Sequence, residues 1–324
     1  MFFTGIVSNE KLYIIGNGFD MHHGLSTNYF SFKNYISLHN QDLFRKINQY
    51  YCSGNDEDLW ANFEENLANL DKDGVLDELS EYLPNTSSED FRDRDWHTAD
   101  IESNRLLELL TSKLRKEFSN FIIEASSEKI DPSKLIKIDI SELFLSFNYT
   151  NTLEKEYFIP GERILYIHGV ANDAEDLIFG HAIEPDSFIE ETTIERPPDN
   201  FSSEQLDYWY DEMANQHDPI YENLKNNVNS YFSASYKNTK KIIKDNEDYF
   251  QRLDSIKEIY ILGHSLSDVD IPYFERIASI VKPDCYWYVS YYSEFEKVKF
   301  EVVLENLDIN PAYYQLIKIA DLCC

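Results

Sequence analysis

The 324-residue chain carries 29 Lys and Arg residues against 59 Asp and Glu residues, which gives a formal net charge of −30. Such a charge repels phosphate backbones, so nonspecific binding to DNA or RNA is not expected without a local basic patch. With 43% hydrophobic and 15% aromatic residues the chain can bury a substantial core, which excludes a disordered protein. It has no recognisable signal peptide and no run of about 18 apolar residues, so we expect a cytoplasmic protein outside the membrane.

The cysteines and the most basic segment do not indicate a metal site or a nucleic-acid site. No C-x-x-C spacing is present, so we expect neither bound zinc nor a disulfide framework; the cysteines are Cys52, Cys285, Cys323 and Cys324. The basic segment 237–241, with Lys237 at its start, is followed by Lys244 and by acidic residues. This pattern favours a solvated helix face.

The N-terminal part predicts one strand and then a helical region. Residues 12–15 form a β-prone apolar run, and residues 29–38 have a helical pattern. Residues 40–130 are mostly helical in pattern and are interrupted by a polar surface loop at residues 84–90. Apolar stripes at helical spacing lie on both sides of that loop, the second in a helix opened by Thr98 or Asp100; they are Leu59, Phe63, Leu67 and Leu70, then Leu106, Leu107, Leu110, Leu114, Phe118 and Phe121.

After residue 132 the pattern alternates between strands and helices. Strands are predicted at residues 143–147, 164–167, 258–262 and 286–291, with residues 177–179 a candidate for a further short strand. Helices are predicted from a capping box at residues 151–154, through much of 204–255, after the cap Asp270 with Pro272 in the first turn, and at 295–304. The chain is therefore expected to be a single α/β domain over residues 1–324. Its parallel Rossmann-like sheet would be flanked by helices, with two helical insertions at about 40–130 and 200–255.

Small and polar residues follow the predicted strands at the point where each strand ends. Residues 16–20 follow the first strand, Asn148 and Thr150 the second, His168 and Gly169 the third, and residues 263–268 the fourth. Ligands bind outside the carboxyl ends of the strands in an open parallel sheet. Glycine, which clusters at these ends, permits positive φ and a close approach of the backbone to a ligand. The pattern therefore predicts one nucleotide pocket assembled from distant segments.

These segments resemble the nucleotide site of the sirtuin (SIR2) superfamily. Gly16, Gly18 and Gly24, with Leu25, resemble its first nucleotide-binding loop. Asn148 resembles the Asn at its next conserved strand end, and His168 with Gly169 resembles its catalytic His-Gly. Residues 263–266 resemble its late G-x-S-L segment.

The order and character of all four segments are more similar to a narrower group, the bacterial AbiH-type abortive-infection proteins. The matching residues are 14–20 with 23–25, 147–152, 167–169 and 263–270, so the resemblance extends from about residue 12 to 280. The chain is identified as a member of this group within a SIR2-like superfamily. The resemblance implies a SIR2-like sheet and a role in defence against bacteriophage.

The resemblance also implies a site that binds NAD and cleaves its bond to nicotinamide. His168 would be the base, since a neutral imidazole near pH 7 suits that task, and Asn148 would orient the ribose or a water. The backbone amides near Gly16 and Gly18 would cradle the diphosphate, and Ser265 would bind the adenosine-side ribose or phosphate. The other predicted ligand contacts are Asn17, Phe19, Asp20, Gly24, Gly263 and Asp268, and no metal ligand is expected.

Simpler structural roles remain open for several of these positions. They are a structural histidine at His168, a turn or cap residue at Asn148, caps at Asp268 and Asp270, and surface positions at His22 and His23. The chain also departs from the sirtuin pattern at Asp20, where a small hydroxyl residue is usual, at Thr150, where Asp is common, and at Tyr29, where sirtuins have Arg. Because the four-cysteine zinc module of sirtuin deacetylases is missing, deacetylation is disfavoured.

Three function hypotheses follow. The first is an NAD glycohydrolase that releases nicotinamide and ADP-ribose during abortive infection. The second is a nucleotide-sensing module without turnover, and the third is a nuclease toxin whose Asp20, Asp268 and Asp270 hold Mg²⁺. The expected partners are a nucleotide ligand, a phage-derived trigger and a second copy of the chain, whereas a membrane or a nucleic acid is not expected.

Overall fold

The computed structural model describes residues 9–51, 56–84, 92, 96–172, 177–189, 197–198, 201–216 and 218–323. It contains a parallel sheet of six strands: β1 (Lys11–Ile15), β2 (Leu143–Ser146), β3 (Ile164–Tyr166), β4 (Glu258–Leu262), β5 (Tyr286–Ser290) and β6 (Tyr314–Ile317). The strand order is β3-β2-β1-β4-β5-β6, and every neighbouring pair is parallel. The chain adds β2 and β3 on one side of β1 and then β4 to β6 on the other. The order therefore reverses between β1 and β4, where open α/β sheets leave a crevice at their carboxyl edge.

Helices cover the sheet and form a second body beside it. Those from the first half of the chain are α1 (Asn17–His22), α2 (Tyr29–His39), α3 (Gln41–Tyr50), α4 (Asp56–Ala61), α5 (Phe63–Asn66), α6 (Lys72–Ser80), α7 (Thr98–Glu108) and α8 (Leu114–Ala125). Those from the second half are α9 (Thr152–Tyr157), α10 (Ser203–Gln216), α11 (Pro219–Ala234), α12 (Thr239–Asp245), α13 (Glu247–Gln251), α14 (Ile271–Ile280) and α15 (Glu294–Asn306). The α/β class and the parallel sheet flanked by helices are confirmed.

Both faces of the sheet are buried because the strands direct apolar side chains to both sides. Leu12 and Ile14 of β1 pack on the face covered by α12 to α15, whereas Tyr13 and Ile15 pack on the face covered by α1 and α9. Successive residues of a strand point to opposite faces, and a strand buried on both faces is therefore apolar throughout. This explains why every residue of the run at positions 12–15 is aliphatic or aromatic.

The helices α2 to α8 pack together with α11 around a separate aromatic core. Trp60 stacks on Phe63 with ring centroids 4.7 Å apart, and Phe118 stacks on Phe179 at 4.5 Å. The helices predicted between residues 204 and 255 divide between the two cores. The helix α11 packs on α6 and α7, whereas α12 and α13 pack on α14 beneath the sheet. The helices α11, α12 and α13 therefore contact both cores, and the insertion predicted over about 200–255 stays a prediction.

Several sequence predictions need correction. Residues 177–179 form no strand of the sheet described here; the Ile178 amide donates to the His168 carbonyl instead. The helix α9 begins after Asn151 as predicted, but that side chain caps no amide in the described structure, because its ψ of 29° is far from the extended backbone of a capping residue. The strand β6 was not predicted. The stripes at residues 59–70 and 106–121 are buried, but the helix breaks at Asn62 and widens to a π-helical turn at Leu109–Lys113.

Two further predictions concern the polar loop before the second helical stripe and the absence of a membrane span. The polar loop predicted at residues 84–90 lies almost wholly outside the described residues. Within the described part of the chain, none of the helices combines the length and the apolar character that a membrane crossing requires.

Candidate functional site

A cleft of about 880 Å³ opens at the carboxyl ends of β1, β2 and β4, beside the helical body. Its size is in the range of sites that bury a small organic ligand. It is lined by many of the residues predicted for the nucleotide site: Gly16, Asn17, Gly18, Asp20, Asn148, His168, Gly263 and Ser265. The predicted contacts Phe19, Gly24 and Asp268 do not line it. Phe19 is fully buried in the sheet core, Gly24 forms a turn with φ of 92°, and Asp268 is exposed.

The glycines beside the cleft are explained by close contact between backbones. A Cβ atom on Gly16 would lie 2.5 Å from the Cα of His264, and one on Gly18 would lie 2.8 Å from the carbonyl oxygen of Gly263. The Gly16 amide donates to the Leu262 carbonyl and the Gly18 amide to the Gly263 carbonyl. These two amides hold α1 against the end of β4 and are therefore not free to bind a diphosphate.

Asn17 and the neighbouring histidines also have structural partners. The Asn17 amide donates to the Thr27 carbonyl, and its oxygen accepts from the Thr27 hydroxyl. His22 lines the cleft, with Nε2 3.0 Å from the Lys134 carbonyl oxygen. His23 is fully buried: Nδ1 lies 2.6 Å from the Phe19 carbonyl oxygen and Nε2 lies 2.6 Å from the Tyr157 hydroxyl. His23 is therefore neither a surface residue nor a cleft residue.

Asp20 and Asn148 form a buried polar pair at the inner end of β1 and β2. The Thr150 hydroxyl donates to Asp20 Oδ2 over 2.7 Å, and the Thr150 and Thr152 hydroxyl oxygens are 3.0 Å apart. Burial raises the pKa of Asp20 to about 6, although these hydroxyls and the nearby Asn148 amide oppose the rise. Asp20 and Thr150, two of the three departures from the sirtuin pattern, are thus joined by a hydrogen bond.

Three polar atoms of this pair have no hydrogen-bond partner in the described part of the protein. Among the residues that the structure describes, Asp20 Oδ1 and both amide atoms of Asn148 make no hydrogen bond, although all are buried. Unpaired buried polar atoms are costly and are found at sites that bind ligands or carry out chemistry. The amide of Asn148 influences the Asp20 carboxyl without forming a hydrogen bond to it. The simpler role of Asn148 as a cap residue is therefore not what the geometry shows.

His168 lies in the same cleft and is almost completely buried. Its Nε2 has no hydrogen-bond partner in the described part of the chain and lies 3.7 Å from Asp270 Oδ1. Burial lowers its pKa well below the usual value, and the ammonium of Lys237 lowers it further, while Asp270 raises it. The imidazole is consequently neutral at physiological pH, and it is also a weaker base than an exposed histidine.

Lys237 is the cation around which the buried charges of the cleft are arranged. It is 2% exposed, and its Nζ lies 3.0 Å from Asp270 Oδ1 and 3.2 Å from Glu64 Oε2. Burial alone would lower its pKa, but Asp270 and Glu64 together raise it above the usual value. The prediction of a solvated helix face at this lysine is wrong, because two carboxylates from distant segments surround it.

Asp270 occupies the capping position before α14, but its side chain caps no described amide of that helix. It lies beside Lys237 and His264 instead. The Leu266 amide donates to Nδ1 of His264 over 2.9 Å, which places the ring proton on Nε2, 3.4 Å from Asp270 Oδ2. Burial would raise the pKa of Asp270, but Lys237 and the two histidines hold it well below its usual value. Asp270 is therefore ionised at neutral pH.

Glu64 connects this charge network to the helical body. The Tyr29 and Tyr149 hydroxyls both contact Glu64 Oε1, and Lys237 contacts Oε2. The network thus joins α5 to the ends of the strands. Sequence reasoning missed the roles of Glu64, Lys237 and His264. His264 lies inside a segment that was singled out, whereas Glu64 and Lys237 carry no spacing or motif that distinguishes them from surface residues.

A metal site built on Asp20, Asp268 and Asp270 is not supported by this geometry. Asp268 is exposed and does not line the cleft, and Asp270 Oδ1 is bound by Lys237. Among the described residues, no group of three or more His, Cys, Asp and Glu side chains is arranged to hold a metal ion.

The comparisons with known proteins agree with the order of the motifs. A family model described as "Bacteriophage abortive infection AbiH" matches residues 12–291. No curated protein and no solved structure matches the chain. The matched region begins in β1 and includes β2 to β5, and therefore contains every strand that borders the cleft. The chain belongs to the AbiH family of bacteriophage abortive-infection proteins.

Proposed function

We propose that the protein acts in abortive infection by hydrolysing NAD to nicotinamide and ADP-ribose in this cleft. The proposal rests on the buried polar atoms of Asn148 and His168 at the strand ends, which have no partner among the residues that the structure describes. Their atoms can bind a ribose hydroxyl or a water without adding charge. The depletion of NAD would then stop the infected cell from supporting phage replication.

The topology of the sheet supports a dinucleotide ligand. The order β3-β2-β1-β4-β5-β6 is the order of doubly wound dinucleotide-binding sheets, and the cleft lies where the order reverses. Relatedness to the SIR2-like superfamily is part of the same proposal, since the motifs at the strand ends suggested it. Fold alone does not determine chemistry, so the side chains of the cleft must supply the remaining argument.

The charges of the cleft favour cleavage of a glycosidic bond. Positive charge develops on the ribose as nicotinamide leaves, and fixed negative groups in a poorly solvated site stabilise it. The carboxylates of Glu64 and Asp270 share the single ammonium of Lys237, so this group carries one excess negative charge. We assign Asn148 to the ribose and Nε2 of His168 to a ribose hydroxyl or to the attacking water.

The diphosphate must be bound outside this acidic inner part. The amides of Gly16 and Gly18 are already hydrogen-bonded to protein carbonyls. We assign the diphosphate to the outer cleft near Lys299, an exposed cation on α15 that lines the cleft and acts on the pKa of Glu65. Ser265, also exposed on the cleft wall, is the polar group assigned to the adenosine side.

Release of nicotinamide from NAD by the purified protein tests the proposal. The wild type should release nicotinamide and ADP-ribose in equal amounts, and His168→Ala and Asn148→Ala should each lose at least about tenfold in rate. His39→Ala and Asn151→Ala are matched controls on exposed residues outside the cleft and should retain the wild-type rate. If the wild type shows neither release nor an NAD-dependent rise in melting temperature, the proposal is wrong.

A nucleotide sensor without turnover is the second candidate, and one observation favours it. The charge network joins α5 of the helical body to the strand ends through Glu64, Lys237 and Asp270, so a ligand in the cleft contacts both bodies. A sensor would bind NAD and retain phage defence in a His168→Ala variant that still binds the nucleotide. A glycohydrolase would lose defence in the same variant.

A further inference from the structure

Asp20 is buried at the inner end of the cleft, where one carboxylate oxygen is hydrogen-bonded and the other has no partner within the described ranges. Its side chain is on α1, which follows β1 directly, and the whole residue is 1% exposed. The Thr150 hydroxyl fixes Oδ2 over 2.7 Å and is itself in contact with Thr152. Its Oδ1 makes no hydrogen bond to the described residues, and the residue lines the same cleft as Asn148 and His168.

Asp20 and His168 both line the cleft with a buried polar atom that has no partner among the described residues, and their pKa values are shifted in opposite directions. A group that takes a proton during a reaction is most effective when its pKa is near the working pH. Burial, together with Lys237, lowers the pKa of His168 well below the usual value for histidine. Burial raises the pKa of Asp20 to about 6. The shift of Asp20 therefore moves its pKa toward neutral pH and the shift of His168 moves its pKa away from it, although a histidine is the usual choice for this task.

We propose that Asp20 is a catalytic residue that accepts the proton of the attacking water, with Thr150 as the residue that positions its carboxyl. This inference rests on the proposed hydrolysis of NAD. The water oxygen forms a bond to C1′ of the ribose, and one of its protons passes to Oδ1 of Asp20. The bond between C1′ and the nicotinamide nitrogen breaks, and its electron pair stays on the nitrogen, so neutral nicotinamide leaves. Asp20 then releases the proton to solvent.

The surroundings of Asp20 allow this carboxyl to titrate near neutral pH. The groups that lower its pKa are neutral hydrogen-bonding groups, namely the hydroxyls of Thr150 and Thr152 and the amide of Asn148. The Tyr166 hydroxyl, which contacts Glu154 Oε2 at 3.3 Å, interacts with the Asp20 charge from β3. No cation within the described part of the chain acts on its pKa, in contrast with Asp270, which Lys237 keeps ionised. Asp20 and Asp270 therefore have different roles: one exchanges a proton and the other retains its charge.

The test is the pH dependence of nicotinamide release from NAD by the full-length protein. In the wild type the rate should fall on acidification with a midpoint near the Asp20 pKa of about 6. Asp20→Asn keeps the size of the side chain and an acceptor for Thr150, and should lose about 10²-fold or more in rate while NAD still raises the melting temperature. Thr150→Val removes a hydrogen bond that lowers the pKa of Asp20, so the midpoint should move to higher pH.

Matched controls separate these effects from a general loss of structure. Asp245→Asn changes an exposed aspartate at the end of α12. Thr111→Val removes a half-buried hydroxyl that donates to the Leu107 carbonyl and does not line the cleft. Both variants should keep the wild-type rate and midpoint. Circular dichroism and the melting temperature establish that Asp20→Asn is folded.

The outcomes distinguish the two proposals. If the wild type releases nicotinamide and Asp20→Asn releases it at a similar rate, Asp20 is not the base while the hydrolysis stands. If Thr150→Val leaves the midpoint unchanged, Thr150 does not position a titrating carboxyl and the inference is overturned. If the wild type releases no nicotinamide at any pH, both the hydrolysis and the role of Asp20 are wrong.

Discussion

Replacement of Lys237 by Met should destabilise the protein strongly, because it leaves the buried carboxylate of Asp270 and the mostly buried carboxylate of Glu64 without their cation. Lys237 is 2% exposed and contacts Asp270 at 3.0 Å and Glu64 at 3.2 Å. Removal of one partner from a buried ion pair costs about 3–5 kcal/mol, since the remaining charge is unpaired. An unfolding entropy of about 2.1 cal/mol/K per residue over 324 residues converts this into a fall in melting temperature of roughly 4–7 °C.

Thermal unfolding at pH 7.5 measures this effect, with Lys240→Met as the matched control. Lys240 lies on the same segment but is exposed, and its ion pair with Glu184 is on the surface. Exposed pairs contribute little, so its loss should not change the melting temperature measurably. Combining Lys237→Met with Glu64→Gln should recover part of the loss, because one of the unpaired carboxylates is then neutral.

The pH dependence of the effect has a defined sign. Lys237 and the histidines depress the pKa of Asp270 in the folded state. A depressed carboxyl pKa contributes stability above the unfolded value of about 3.9 and loses it as the pH falls below that value. The difference in melting temperature between the wild type and Lys237→Met should therefore have its full size at pH 7.5. A Lys237→Met variant that melts within 1 °C of the wild type at this pH, on the order of the precision of such scans, would refute the buried bridge.

Three further predictions follow from the same geometry. Gly263→Ala should lower the melting temperature by several degrees, because its φ is 67° and a Cβ would lie 2.0 Å from the Phe19 nitrogen. Gly161→Ala is the control and should be tolerated, because a Cβ there would meet only the end of the flexible Glu154 side chain. Equal melting temperatures of the two variants would contradict this prediction. Asp20→Asn should stabilise the protein at pH 7.5 by up to about 3 kcal/mol, because its folded pKa is raised from 3.8 to about 6. In the wild type the protonated carboxyl contributes its full stability below the unfolded pKa, and this contribution is lost as the pH rises through about 6. The gain in stability of Asp20→Asn over the wild type should therefore vanish near pH 4 in melting curves. The ring-proton NMR signals of His168 should not titrate between about pH 7.5 and 5.5, and a midpoint near 6.5 would show that the ring is not desolvated as described.

The strands that border the cleft could be predicted from sequence because their signal is local. Residues 12–15 and 259–262 are apolar runs that are followed by glycine, and the parallel sheet places these ends together. The strand β6 was missed because its residues are only half buried at the edge of the sheet, so Tyr314–Ile317 has no continuous apolar pattern. Residues 177–179 are apolar because they pack between the bodies, which resembles the pattern of a short strand.

The charge network of the cleft could not be predicted, because it depends on contacts between distant segments. Lys237 and Glu64 are 173 positions apart, and each resembles an ordinary surface residue in the sequence. The basic residues that follow Lys237 suggested a solvated helix face, yet Lys237 itself is buried between the carboxylates of Glu64 and Asp270. The glycines are the opposite case, because the sequence showed their positions at the strand ends. The close contact that requires glycine at position 16 is with the backbone of the protein itself and not with a ligand.

The NAD content of infected bacteria that carry the gene tests the central claim most directly. After phage infection, NAD should fall and nicotinamide should rise in cells with the wild-type protein, whereas cells with His168→Ala or Asn148→Ala should keep their NAD and lose protection. If cells with the wild-type protein resist the phage while their NAD content stays equal to that of the variants, defence does not proceed through hydrolysis of NAD in this cleft.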